Sequence, residues 1–355
     1  MSRKLNVLGL GASYGSLFAS KVLAAGHDVK LVCLPAEAVL INAEGIRVRL
    51  PVRGREGLVE VDSRKLPGRL SAAVPTAVEP QGFDLVALAM QEPQYRSPGV
   101  RELVAAVAKA RAPCISIMNM PPLPFLARVP GVAIDGCRSA YTDPSVWDGC
   151  DPALMTLCSP DAQAFRPPEE KLNVLQVRLP TNFRSAPFED DAHTQMLRTL
   201  ESQIDAARFD DGQGGRVELP VKLRVRDSVF VPLAKWCMLL AGNYRCIRES
   251  DVIPIRDAVH ADPQAARSVY DWVAAVCRAL GAHDDDLVPF DKYAEAAKSL
   301  GSPSSAARAI AGGAKDIERV DRLVQLIGAQ CGMRNDAVDR IVALVDARLE
   351  QNRRR

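Results

Sequence analysis

Residues 6 to 32, "NVLGLGASYGSLFASKVLAAGHDVKLV", limit the possible folds more than any other stretch. An apolar strand pattern (4–8) runs into a glycine turn. A helical pattern follows from Ser16 to Ala25, with Leu17, Val22 and Leu23 apolar, and Gly26 stands as its stop before a second strand at 28–34. Strand, glycine turn, helix and strand within about 30 residues make a βαβ unit. Such units build a parallel sheet covered by helices on both faces. Gly9 suits a tight turn out of the strand. Gly11 lets backbone N–H groups approach a pyrophosphate, and the helix directs its positive end there. The usual pattern has two residues between the second and third glycine, whereas Ala12, Ser13 and Tyr14 separate Gly11 from Gly15. Starting the helix one residue later absorbs the extra residue. That leaves a dinucleotide site on Gly9, Gly11, Ala12, Ser13 and Gly15; the plainer alternative is a turn that binds nothing.

Alternation continues along the chain. Strand patterns lie at 83–90, 113–119, 131–137 and 153–159, with a helix at 100–110. Residues 160–190, rich in proline and polar residues, read as a surface insertion. An amphipathic helix (190–209) and a last strand (216–225) follow. From there the pattern is helical throughout, at 229–247, 263–281, 291–300, 304–330 and 334–351. A chain of 355 residues exceeds one compact core. It reads as α/β: an N-terminal Rossmann-like dinucleotide-binding domain (1–228), followed by an all-helical C-terminal domain (229–355) for substrate and dimerisation.

A formal net charge of +2 gives no basic field, so a nucleic-acid partner is not expected. The nine cysteines contain no CxxC pair and the four histidines no metal spacing, which favours free thiols in a reducing cytosol and no metal site. No signal peptide is read, and no apolar run reaches the ~18 residues of a spanning helix, so a cytoplasmic location without a membrane partner is expected. At the end of the second strand an acid would hold a ribose 2′-OH and an arginine a 2′-phosphate. Leu34 and Pro35 stand there, with Glu37 just beyond, read as a solvated residue of a helix N-terminus. Cofactor choice is open on these residues alone. Lys235 sits in the apolar string "VFVPLAKWCMLLAG", where a lysine suits proton donation to a carbonyl oxygen. The alternative is a lysine that snorkels from the helix edge to an acid. On an α-helix Lys235 and Asn243 would lie about 80° apart, from 100° per residue.

The string "GLGASYGSLFASKVLAAGHDVKLV" resembles the start of the ketopantoate reductase (2-dehydropantoate 2-reductase) family. The resemblance continues through "EGIRV" (44–48), "CISIMN" (114–119), "VPLAKWCMLLAGN" (231–243) and "PSSAARAIAGGAKDIERVDRLVQLIGAQCGM" (303–333). It implies an NAD(P)H-dependent reductase of a small carbonyl substrate, a ketopantoate-like 2-oxo acid, with NADP(H) favoured over NAD(H). Lys235 matches the general acid. Asn119 matches the asparagine ending the fourth strand, near nicotinamide and substrate. Asn243 and Ser304 or Ser305 match substrate contacts, and Asp316 stands where the family has a glutamate. Gln91 replaces the lysine that ends the third strand, where it joins Asn119 as a cofactor contact. Leu239 replaces an asparagine after the catalytic lysine, and Asn119-Met120 replaces Asn-Gly. Two other functions stay open: a related hydroxy-acid, imine or opine dehydrogenase, and a non-catalytic NAD(P)-binding sensor or interaction protein. The helical half is long and apolar enough to support a homodimer.

Overall fold

A computed structural model of the chain describes residues 3–355. They form two compact units. One comprises residues up to Met90, Gln94–Phe125 and Val146–Asp227; the other comprises Gln91–Pro93, Leu126–Ser145 and Ser228–Arg355.

The first unit carries the strands β1 (Asn6–Leu10), β2 (Asp28–Val32), β3 (Arg47–Pro51), β4 (Leu58–Asp62), β5 (Leu70–Ala73), β6 (Leu85–Leu88), β7 (Cys114–Ile117) and β8 (Met155–Ser159). After these come β9 (Gln163–Phe165), β10 (Val174–Leu179), β11 (Phe183–Ser185), β12 (Phe209–Asp210), β13 (Arg216–Val217) and β14 (Leu223–Val225). Eight of them make one sheet in the order β14-β11-β8-β7-β6-β1-β2-β5, parallel except where β11 meets β8. A second sheet has the order β4-β3-β10-β9. Its helices are α1 (Tyr14–Ala24), α2 (Pro35–Glu44), α3 (Val100–Ala110), the short α4 (Leu123–Leu126) at its edge, and α5 (Asp191–Ala206). Helix α1 touches β2 of the large sheet and also β3 and β10 of the smaller one. It is therefore buried on every side from Gly15 to Leu23. The continuous apolar strands β6 and β7 are fully buried, as expected for a sheet covered on both faces.

The segment 160–190 is not a surface insertion. It supplies β9, β10 and β11, and Leu175, Val177 and Phe183 belong to the core. Its prolines (160, 167, 168, 180 and 187) all fall between strands, where they punctuate the sheet without costing a ladder hydrogen bond. Residues 131–137 are not a strand either. They lie in the second unit and run into a 3-10 helix, Ile134–Ala140, because Gly131 turns with φ +77° and "DG" ends any pairing pattern.

The second unit is helical: α6 (Lys235–Met238), α7 (Ile255–His260), α8 (Pro263–Ala279), α9 (Phe290–Ala297), α10 (Ser305–Ala311), α11 (Val320–Gln330) and α12 (Asp336–Arg353). Helix α8 is the hub, with α6, α7, α9 and α11 packed on it. The span 304–330 is two helices, since Gly312 and Gly313 end α10. Among the described residues, no helix is long and apolar enough to cross a membrane.

Candidate active site

The strand order reverses at β1, with β2 and β5 on one side and β6, β7 and β8 on the other. In an open parallel sheet, ligands bind at the carboxyl ends of the strands at this switch point. Leu10 lies opposite Val32 and Leu88, and Leu88 opposite Ser116, so the residues that follow form one edge. Gly9 lies inside β1, opposite Leu31 and Ala87, and does not make the turn as its place in the motif suggests. Gly11 makes it, with φ +106°, and a Cβ there would sit 2.8 Å from the Ala89 carbonyl oxygen. Its own N–H is spent, donating to Val32 O at 2.9 Å. The N–H groups of Ala12, Ser13, Tyr14 and Gly15 have no acceptor among the described residues, and Ser13 does not cap the helix with its hydroxyl. Four unspent donors at a helix N-terminus are the kind of arrangement that binds anions.

Helix α1 starts at Tyr14, two residues before Ser16, so a late start does not absorb the extra residue. Tyr14 is instead anchored to the rest of the unit. Its hydroxyl donates to Ala162 O at 2.8 Å and its ring meets Phe183 edge-on. Burial raises its phenol well above the usual range. Gly15, in the first turn, would place a Cβ 3.3 Å from that of Ala89, which is the close helix–strand approach expected of a third glycine. Asn119, two residues beyond β7, is half-buried at the same edge. Gln91 is exposed and belongs to the second unit.

At the end of β2, Leu34 is 68% exposed. Glu37 does stand in the first turn of α2, but it is buried rather than solvated. Its carboxylate accepts from Leu34 N at 3.2 Å and lies 2.5 Å from Arg166 Nη2. Sequence reasoning missed Arg166, whose partner is remote in the chain; the one signal was an uncharged strand end that some other segment had to serve.

In the second unit the apolar string around Lys235 is not one helix. A 3-10 turn, Val231–Ala234, leads into α6, and a π-helical turn follows over Leu239–Asn243. Tyr244 N donates to Leu239 O at 2.9 Å, five residues back. The wider turn rotates each residue less, so Lys235 and Asn243 lie closer in direction than an α-helix would put them; such turns often mark functional sites. Gly242 was the available signal, because a Cβ there would fall 1.9 Å from the Tyr293 hydroxyl. That hydroxyl donates to Met238 O at 3.1 Å. Ser304 caps α10, accepting from Ala307 N, and donates to Asn243 O at 2.7 Å. Lys235 and Asn243 are half-buried, Ser305 is exposed, and Asp316 is ion-paired with Arg353.

No family model matches the chain, and no curated protein matches it. Solved structures match almost all of it. A ketopantoate reductase from Ralstonia eutropha JMP134 is 19% identical with TM-score 0.65, over 98% of this chain and 100% of that one. A 2-dehydropantoate 2-reductase from Methylococcus capsulatus is 13% identical with TM-score 0.67, over 98% of each chain. The chain has the ketopantoate reductase fold. D-mandelate dehydrogenase, in a ternary structure with NADH and anilino(oxo)acetate, shares it at 12% identity and TM-score 0.64, over 98% of this chain and 99% of that one.

Proposed function

We propose that the chain is an NAD(P)H-dependent reductase of a small carbonyl compound, a 2-oxo acid of the ketopantoate kind, with NADPH preferred. The observation that carries this reading is the cradle of four unspent N–H groups beside Gly11 at the switch point of the large sheet. A dinucleotide's pyrophosphate fits those donors, and Gly11 and Gly15 keep side chains out of its way. Solved neighbours include both ketopantoate reductases and a D-mandelate dehydrogenase with NADH, which supports the same class.

Bound nicotinamide supplies the hydride. The remaining steps belong to side chains. Lys235 gives its proton to the carbonyl oxygen as that oxygen gains charge, and its ammonium stabilises the developing alkoxide. Asn119 is assigned to the nicotinamide and the carbonyl. Asn243, held by Ser304 through its main chain, offers an amide to the substrate's carboxylate or hydroxyl. Ser305 and Asp316 are assigned to the substrate, and Gln91 to the cofactor, by resemblance alone. The helical unit is assigned to homodimer formation because it is long and apolar enough to support one.

Consumption of NADPH with a panel of 2-oxo acids tests this directly. Wild type should turn over at least one of them. Lys235→Ala should lower kcat by about 10²-fold or more while nucleotide affinity stays within about twofold. Nucleotide binding without turnover, unchanged by Lys235→Ala, would instead point to a non-catalytic sensor.

A further inference from the structure

We propose that Arg166 selects the cofactor by taking the ribose 2′-phosphate of NADPH at the carboxyl end of β2. The proposal rests on the reductase reading above. In this kind of sheet the end of the second strand distinguishes a 2′-OH from a 2′-phosphate. Here that end is Val32, Cys33, Leu34 and Pro35, which carry no charge to do so. The stretch from Ala162 to Arg166, around β9, brings one from elsewhere in the chain. At one end Ala162 O accepts from Tyr14 on the glycine turn, and at the other Arg166 pairs with Glu37. Five residues of the first unit thus run from the pyrophosphate turn to the ribose end.

Burial decides which charge faces the ligand. The Glu37 side chain is 9% exposed, with one oxygen held by Leu34 N and the other against Arg166. It anchors the arginine and has little left for a ribose hydroxyl. Arg166 is 24% exposed, and its Nη2 lies within ion-pair range of Glu37 without an aligned hydrogen bond. The guanidinium is held in place with most of its five donors unspent, and its planar fork suits a phosphate. Burial, and then Glu37, push the Cys33 thiol up to about 11, so this neighbour adds no negative charge at neutral pH. Glu37 still repels a phosphate, so the preference expected is moderate, about 10- to 100-fold.

The test titrates NADPH and NADH into wild type, Arg166→Ala and Arg166→Lys. Wild type should bind NADPH at least about tenfold more tightly than NADH. Arg166→Ala should lose about tenfold or more in NADPH affinity and keep its NADH affinity within about twofold, with Arg166→Lys between. Arg166→Ala leaves Glu37 without its cation, so Glu37→Gln/Arg166→Gln, which removes both charges, is measured beside it and should show the same selective loss. Equal wild-type affinities or a preference for NADH would overturn both the assignment to Arg166 and the preference for NADPH, and equal losses for both nucleotides in the folded variants would overturn the assignment alone; each leaves NAD(P)H-dependent reduction standing. Wild type that binds neither nucleotide would overturn both.

Discussion

Gly11 meets two demands at once: a φ of +106° and a backbone carbonyl 2.8 Å from where a Cβ would sit. Gly11→Ala should therefore cost more than about 2 kcal/mol and abolish nucleotide binding. Gly9→Ala meets only the end of the Leu31 side chain and should cost less, which parallel thermal melts can rank. Lys21 is the other exceptional residue. It lies on α1, 2% exposed, and its Nζ has no hydrogen-bond partner. Burial, then the charge of Lys222, lower its ammonium from the ordinary 10.5 to about 7. An unfolded lysine keeps its proton up to about 10.5, so between about pH 7 and 10.5 the unfolded state binds more protons and stability rises with pH. Below about pH 7 both states are charged and the penalty is complete. Urea unfolding should show a gain of roughly 2–3 kcal/mol from pH 6 to pH 9 from this group. Lys21→Met should remove that slope and be the more stable protein at pH 6; an unchanged slope would show that Lys21 is not its source. The role of Gly11 was legible because turn chemistry is local. The settings of Lys21 and Glu37 were not, because residues far away in the chain, Lys222 and Arg166, help to define them.

Among the elements, the π turn after α6 is the most specific device, and Gly242, Tyr293 and Met238 O hold it together. Gly242→Ala should displace Tyr293, cost about 2–4 kcal/mol and lower turnover. Adding Tyr293→Phe removes the clashing hydroxyl, so the double variant should be more stable than Gly242→Ala alone. Simple additivity of the two losses would refute this coupling. Periodicity in the sequence located the βαβ unit and most of the helices, since each reflects a local pattern. It failed at 160–190, where strands of three to six residues between prolines carry too short a pattern to register, and at 229–247, where tertiary contacts rather than propensity set the helix type.

At the scale of the whole molecule, an α/β unit with a helical unit was legible from the order of patterns. The family resemblance rested on one N-terminal string and a few later ones. Solved neighbours at 12–19% identity over nearly the whole chain show that this fold is kept at low sequence identity. A ligand that binds only the folded chain adds stability by mass action. NADPH at 100 times its Kd should therefore stabilise the protein by about 2.7 kcal/mol and raise Tm, while free adenine should not. Titration of the purified protein with NADPH, followed by the fluorescence of the nucleotide, tests the dinucleotide cradle most directly. A micromolar Kd that is lost in folded Gly11→Ala is the expected result. No binding by wild type, or unchanged binding in folded Gly11→Ala, would contradict it.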